Sequence, residues 1–239
     1  MKFDIVGDIH GCLEELFELL QTLGYESNGF LFNPPEGRLL VLVGDLVDRG
    51  DYSIKTYNFI REMVNSGRAI MCLGNHDEKL MRWAKGNKVK LLHGLDKTVE
   101  SLIETKIPNE EIVDFFSNIP YYLFLDDLIV VHASWEDWLI SYDRFEKKCK
   151  NLCLHGPSNG FLENGLVNRV DWALNRKLTD RSYPVVCGHQ VFDDVRIINN
   201  VYQIDTGCVY GGKLSCLKWP EKEIVQVKSK KEYSPRYPK

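Results

Sequence analysis

The sequence predicts a mixed α/β fold, with parallel strands early in the chain and further strands late. Three apolar runs, Phe3 to Val6, Leu39 to Val43 and Ala69 to Leu73, each stop at a glycine and a polar loop. Each loop gives way to apolar residues at helical spacing. After Pro120 this alternation is replaced by short apolar runs that end in His132, Gly188-His189 and Asp205-Thr206-Gly207.

The first unit closes with a helical stripe of Leu13, Leu16, Phe17, Leu19, Leu20 and Leu23, with Gly24 placed to cap it. Its loop, Gly7-Asp8-Ile9-His10-Gly11, sits at the carboxyl end of a buried strand, where open α/β sheets bind ligands. In the second unit the loop Gly44 to Gly50 leads to Ile54, Tyr57, Ile60 and Met63 before Gly67. The third places Gly74-Asn75-His76-Asp77 in the loop and starts its helix at Glu78. Three such units in succession imply parallel strands whose polar loops emerge along one sheet edge. Residues 91 to 119 read as helix broken at Pro108, a lid or side layer. Leu128 to Val131, Val185 to Cys187 and Val201 to Ile204 read as strands, and Leu214 to Trp219 with Glu223 to Val227 as a closing hairpin. Residues 149 to 182 carry no pattern that assigns them.

The length of 239 residues suits one compact domain over 1–239, with a peripheral tail from about residue 229. Hydrophobic content of 44% and charged content of 27% are those of a folded protein. A net charge of −4 argues against an extended nucleic-acid surface, and the lysine-rich run from Lys222 to Lys231 reads as a solvated tail. Seven cysteines without a repeated CxxC spacing point to reduced thiols and a cytoplasmic setting. A zinc site on Cys149 and Cys153 lacks a second ligand pair. Met1-Lys2 runs straight into a short strand without the apolar core of a signal peptide. No apolar stretch reaches the roughly 20 residues that span a bilayer, so no membrane partner is expected.

The strand ends collect Asp8, His10, Asp45, Asp48, Arg49, Asn75, His76, Asp77, His132, His189 and Asp205. Buried groups of this kind must be hydrogen-bonded or hydrated, so ending apolar strands in them is a poor way merely to build a core. Carboxylate, imidazole and amide without thiolate form a ligand set for hard to borderline cations, and their number suits two ions sharing a carboxylate. Asp51, Asp77 and Glu78 open predicted helices, where acids serve as caps at least as readily as they serve chemistry. His93 and His155 belong to no motif, and Trp135 and Trp138 read as core or pocket wall.

In Gly7-Asp8-Ile9-His10-Gly11, Gly44-Asp45-Leu46-Val47-Asp48-Arg49-Gly50, Gly74-Asn75-His76-Asp77, Val131-His132-Ala133 and Gly188-His189, taken in this order, the sequence resembles the calcineurin-like metallophosphoesterases, in their phosphoprotein-phosphatase branch. The resemblance covers roughly residues 2 to 227. It implies a four-layer αββα sandwich, two β-sheets flanked by helices. It also implies that Asp8 and His10 bind a first metal ion, that Asp45 bridges, and that Asn75, His132 and His189 bind a second. The cofactors expected are two divalent cations, manganese first, with iron, zinc, nickel and magnesium as alternatives. His76, beside a ligand yet free itself, is assigned as the general acid with Asp48 orienting its ring. Arg49 and Arg169 are assigned as phosphate clamps, and Asp205 as a substrate-side residue supporting the metal shell or His189.

Among small bacterial and phage members, Phe3 to Asp8, Gly94 to Glu100 and Asp205 to Leu214 are most similar to enzymes that cleave dinucleoside tetraphosphates and to RNA-repair phosphatase modules. The resemblance therefore implies a phosphorylated nucleotide as partner, with a phosphoprotein or an RNA end as alternatives. The sequence departs from the family pattern at Ala133-Ser134 after His132 and at Gln190 after His189, neither of which removes a ligand. Specificity is expected in residues 86–120 and 135–182.

Overall fold

The computed structural model describes residues 1–163, 165 and 167–236. Asn164, Leu166 and residues 237–239, within the expected specificity and tail segments, lie outside the described residues. The early units form β1 (Lys2–Val6), α1 (Leu13–Thr22), the small pair β2 (Glu26–Ser27) and β3 (Phe32–Asn33), β4 (Arg38–Leu42), α2 (Ser53–Asn65), β5 (Ala69–Met71) and α3 (Asn75–Ala84). Next come α4 (Leu95–Thr105), α5 (Asn109–Ser117), β6 (Tyr122–Leu125), β7 (Leu128–Val131), a 3-10 turn (Asp137–Ser141) and α6 (Lys147–His155). The chain continues through β8 (Ser158–Phe161), β9 (Val167–Arg169), α7 (Trp172–Asn175), β10 (Val185–Cys187), β11 (Arg196–Ile198), β12 (Val201–Gln203), β13 (Lys213–Trp219) and β14 (Glu223–Lys228).

Two five-stranded sheets result, in the orders β14-β13-β1-β4-β5 and β11-β12-β10-β7-β6. As expected, β1, β4 and β5 run parallel, and β13 returns antiparallel to β1. In the second sheet β7, β10 and β12 are parallel to one another. The parallel strands β1, β4 and β5 of the first sheet are covered on both faces, which explains their largely apolar sequences. Val6, Leu40 and Leu42 pack with Leu16 and Ile60 of the helices, while Ile5, Val41 and Val43 meet Val130, Val186 and Ile204 between the sheets. A third cluster joins Ile129, Val131 and Cys187 to Cys149, Cys153 and Trp172 beyond the second sheet. The order of layers is therefore helices, sheet, sheet, helices.

Three features go beyond or against the sequence expectation, and one accords with it. Helix α3 begins at Asn75, so Asn75, His76 and Asp77 form its first turn and not a loop. The Asp77 carboxylate accepts the Gly74 and Leu46 amides, which fixes that start. Residues 149–182 hold α6, the β8–β9 hairpin and α7. Trp135 is buried and Trp138 is 46% exposed on a cavity wall, in line with the reading of the pair as core or pocket wall. The segment after β14 is strapped down: Lys230 N and the Tyr233 hydroxyl both donate to Glu15, and Ser229 is buried. Among the described residues no helix is long and apolar enough to cross a membrane.

Candidate metal centre

The parallel strands of both sheets end at the same place. Ile9 and His10 donate their amides to the Asp45 carbonyl, Gly188 donates to the His132 carbonyl, and the His189 amide donates to the Asp8 carboxylate. This stitching requires unusual backbone. His10, Asp45, Asp48, Arg49 and His189 all hold positive φ, between 46° and 73°, a conformation that costs side-chain-bearing residues about 1–3 kcal/mol each. Close approach requires glycine at two neighbours. A Cβ on Gly74 would meet the Asp45 amide and carboxylate, and one on Gly188 would meet Asp8 Oδ1.

Asp45 lies at the middle of the cluster, its Oδ2 3.5 Å from His10 Nε2 and 3.4 Å from His132 Nε2. His132 Nε2 is also 3.0 Å from Asn75 Oδ1 and 3.0 Å from His189 Nδ1. His10 Nδ1 donates to the Val47 carbonyl at 2.8 Å and His132 Nδ1 to the Val43 carbonyl at 3.0 Å. With Nδ1 protonated in this way, both Nε2 atoms present lone pairs to the centre. Lone pairs, a carboxylate and an amide oxygen thus face one another at hydrogen-bond range, an arrangement that a cation relieves, while the Arg49 and Arg169 guanidiniums reach its two flanks at His10 Nε2 and His189 Nε2. His10, Asp45 and His76 form one group able to hold an ion, and Asp45, His132 and His189 a second. Asp8 falls in neither group but borders the second, its carboxylate accepting the His189 amide.

Electrostatics agree with a cation-binding centre. Burial first, then the charges of Asp205 and Asp45, pushes the Asp8 carboxyl well above its ordinary range. Burial pushes Asp45 up to about 7, opposed by the His76 amide and by Arg49. Burial and then Arg49 hold His10 and His76 well below the usual imidazole value, burial and then His132 do so for His189, and burial lowers His132 to about 3. Neutral imidazoles are metal ligands, and protons held on the carboxyls are those a cation would displace.

The remaining candidates lie around this centre. His76 Nδ1 is 2.6 Å from Asp48 Oδ2, and its ring stands edge-on to His10 with centroids 4.8 Å apart. Arg49 Nη1 is 2.6 Å from His10 Nε2. Arg169, at the end of β9, bonds His189 Nε2 and the His155 carbonyl. Asp205 accepts the Gly207 amide at 3.0 Å, and burial raises it to about 6. Two contributors escape sequence reasoning. The Thr98 hydroxyl donates to Asp48 Oδ1 at 2.7 Å, and the Arg49 guanidinium stands 5.5 Å from the Tyr210 ring centroid. A threonine on the apolar stripe of α4 was the only signal for the first.

The model of the calcineurin-like phosphoesterases matches residues 1–193. The chain is 38% identical to the asymmetrical bis(5′-nucleosyl)-tetraphosphatase PrpE of Oceanobacillus iheyensis, over 98% of this chain and 94% of that protein. It is 37% identical to the protein of the same name from Halalkalibacterium halodurans, over 96% and 95%. A crystal structure provisionally named a diadenosine tetraphosphatase superposes with a TM-score of 0.66 at 24% identity, over 95% of this chain and 93% of that one, and supports the fold.

Proposed function

This chain belongs to the calcineurin-like phosphoesterase family, and on that premise we propose that it hydrolyses dinucleoside polyphosphates with two divalent cations, manganese first among them. The observation that carries the chemistry is Asp45 Oδ2, set between His10 Nε2 and His132 Nε2 at 3.5 and 3.4 Å. A nucleotide substrate is supported by relatives named asymmetrical tetraphosphatases that match almost end to end.

Asp8, His10 and Asp45 hold the first ion in this reading, and Asp45, Asn75, His132 and His189 the second. Divalent cations at those residues would supply Lewis-acid polarisation of the phosphoryl oxygens and a water of lowered pKa. Arg49 borders the His10 side and Arg169 the His189 side, so the two guanidiniums grip phosphate oxygens from opposite ends. The Asp205 charge raises Asp8 and adds to the negative potential that draws a cation there, and its carboxylate holds the turn at Gly207.

His76 gives its Nδ1 to Asp48, which leaves Nε2 for the leaving oxygen. Before substrate arrives, burial and the Arg49 charge keep the ring neutral. A polyphosphate brought against Arg49 offsets that charge and favours the imidazolium that the Asp48 carboxylate can support. A cavity of about 600 Å³, lined in part by Trp138, Pro157, Trp172 and Val170, the residue that follows Arg169 in the chain, suits a nucleoside. Seven buried, unbridged cysteines support a reducing, cytoplasmic setting.

Chelation and reloading test the reading. Release of AMP from diadenosine tetraphosphate should stop in stripped protein and return as the second equivalent of Mn²⁺ is added. Turnover without metal would overturn the proposal.

A further inference from the structure

We propose a third cation site, separate from the centre at the strand ends, in which the Cys12 and Cys208 sulphurs and the Glu15 carboxylate bind a thiophilic divalent ion of the Zn²⁺ class. Cys12 directly precedes α1, Glu15 lies in the first turn of that helix, and Cys208 lies in the turn after β12. One ligand atom from each lies within 4.8 Å of the other two. All three side chains are closed off from solvent, at 0%, 0% and 1% exposure.

The carboxylate supplies the second observation. Glu15 Oε1 accepts the Lys230 amide at 2.9 Å and the Tyr233 hydroxyl at 2.8 Å. Oε2 is buried and has no hydrogen-bond partner among the described residues. A buried carboxylate oxygen without a donor is costly, and native chains rarely leave one without a reason. Tetrahedral zinc, with bonds of about 2.3 Å to sulphur and 2.0–2.2 Å to oxygen, places its ligand atoms about 3.5–3.8 Å apart. The cluster reaches that geometry by closing about an ångström. The Tyr233 hydroxyl, by donating to Oε1, holds the carboxylate in place at the cluster.

The centre at the strand ends offers nitrogen and oxygen only, whereas this cluster offers two sulphurs, so a soft ion partitions to it. Its effect would be structural. A bound ion ties α1, the Cys208 turn and the strap from Lys230 to Tyr233 into one unit. It does so two residues after His10 and three after Asp205, which stiffens both loops.

Cobalt tests the site, because Co²⁺ bound to thiolate gives an intense near-ultraviolet charge-transfer absorption that nitrogen and oxygen ligands do not. Protein produced in zinc-limited, cobalt-supplemented medium should show that band and carry a third equivalent of cobalt. Cys208→Ser should lose the band and one equivalent while the circular dichroism spectrum is kept. Glu15→Gln should shift or weaken the band, and this variant serves if Cys208→Ser does not fold. Folded wild-type protein with two equivalents and no band would overturn the proposal. So would a band that survives Cys208→Ser unchanged, or peptide mapping that finds Cys12 and Cys208 joined as a disulfide.

Discussion

His76 Nδ1 stands 2.6 Å from Asp48 Oδ2, and the other oxygen of that carboxylate accepts the Thr98 hydroxyl at 2.7 Å. The imidazole is thus held from behind by a carboxylate that is itself held. His76 stands within reach of the His10 and Asp45 group, but the first ion in this reading keeps Asp8, His10 and Asp45, and the His76 amide that bonds Asp45 is untouched by side-chain truncation, so His76→Ala should leave two metal equivalents in place. It should slow turnover by about 10²- to 10⁴-fold for poor leaving groups and far less for a nitrophenolate, which needs no proton. Rates compared across a leaving-group series check this, and an equal loss throughout would contradict the general-acid role.

Asp45→Ala should lose both ions, because its carboxylate faces both histidine groups. Gly188→Ala supplies no ligand and removes none, yet its new methyl group would collide with Asp8 Oδ1. Overpacking there should cost about 1–3 kcal/mol of stability and weaken metal retention. Elemental analysis and thermal denaturation of both variants check the pair. Full metal content in Asp45→Ala would refute the shared-carboxylate reading.

The pH response of the chelated protein follows from opposed sets of buried groups. Burial raises Asp45 and Asp48 to about 7 and Asp77 to about 8, against about 3.9 in an unfolded chain. The folded chain holds protons there that the unfolded chain has released, so this contribution is complete at low pH and is lost as pH rises through 7 to 8. The histidines act in the other direction: burial depresses His10, His76, His132 and His189, so their contribution is lost as pH falls below about 6.5. Above that value the histidines are neutral in both states and the carboxyls decide. Calorimetry should show the Tm of metal-free protein falling from pH 6.5 to 8.5, with the stabilisation by Mn²⁺ widening over the same range. A metal-free Tm that rises across this window would contradict the assignment.

Trp138 exposes 46% of its surface on the wall of the cavity that Val170, the neighbour of Arg169 in sequence, also lines. Loss of a stacking ring costs about 1–3 kcal/mol per base, so Trp138→Ala should raise KM for diadenosine tetraphosphate about tenfold. Hydrolysis of p-nitrophenyl phosphate, which has no base, should be unchanged. Steady-state kinetics on both substrates separate a base contact from general damage.

How much of this was readable from the sequence depended on whether a residue broke a local pattern. Asp8, Asp45, His132 and His189 interrupt apolar runs, and the structure gathers them at the ends of the strands those runs predict. Asn75 and His76 were recognisable as site candidates but not as helix, because Gly74 and three polar residues look like a loop until the Asp77 cap is seen. Residues 149–182 gave no signal since β8 is wholly exposed and α6 buries only Cys149, Cys153 and Leu154. Tyr210 under Arg49, and Cys208 beside Cys12 and Glu15, are meetings of distant segments that no local spacing encodes.

The central claim, that this centre hydrolyses a dinucleoside polyphosphate, is tested most directly by chromatography after Mn²⁺-loaded protein acts on diadenosine tetraphosphate and a phosphoserine peptide in one vial. The account predicts ATP and AMP in equal amounts while the peptide keeps its phosphate. An intact tetraphosphate beside a dephosphorylated peptide would contradict it and make the chain a protein phosphatase.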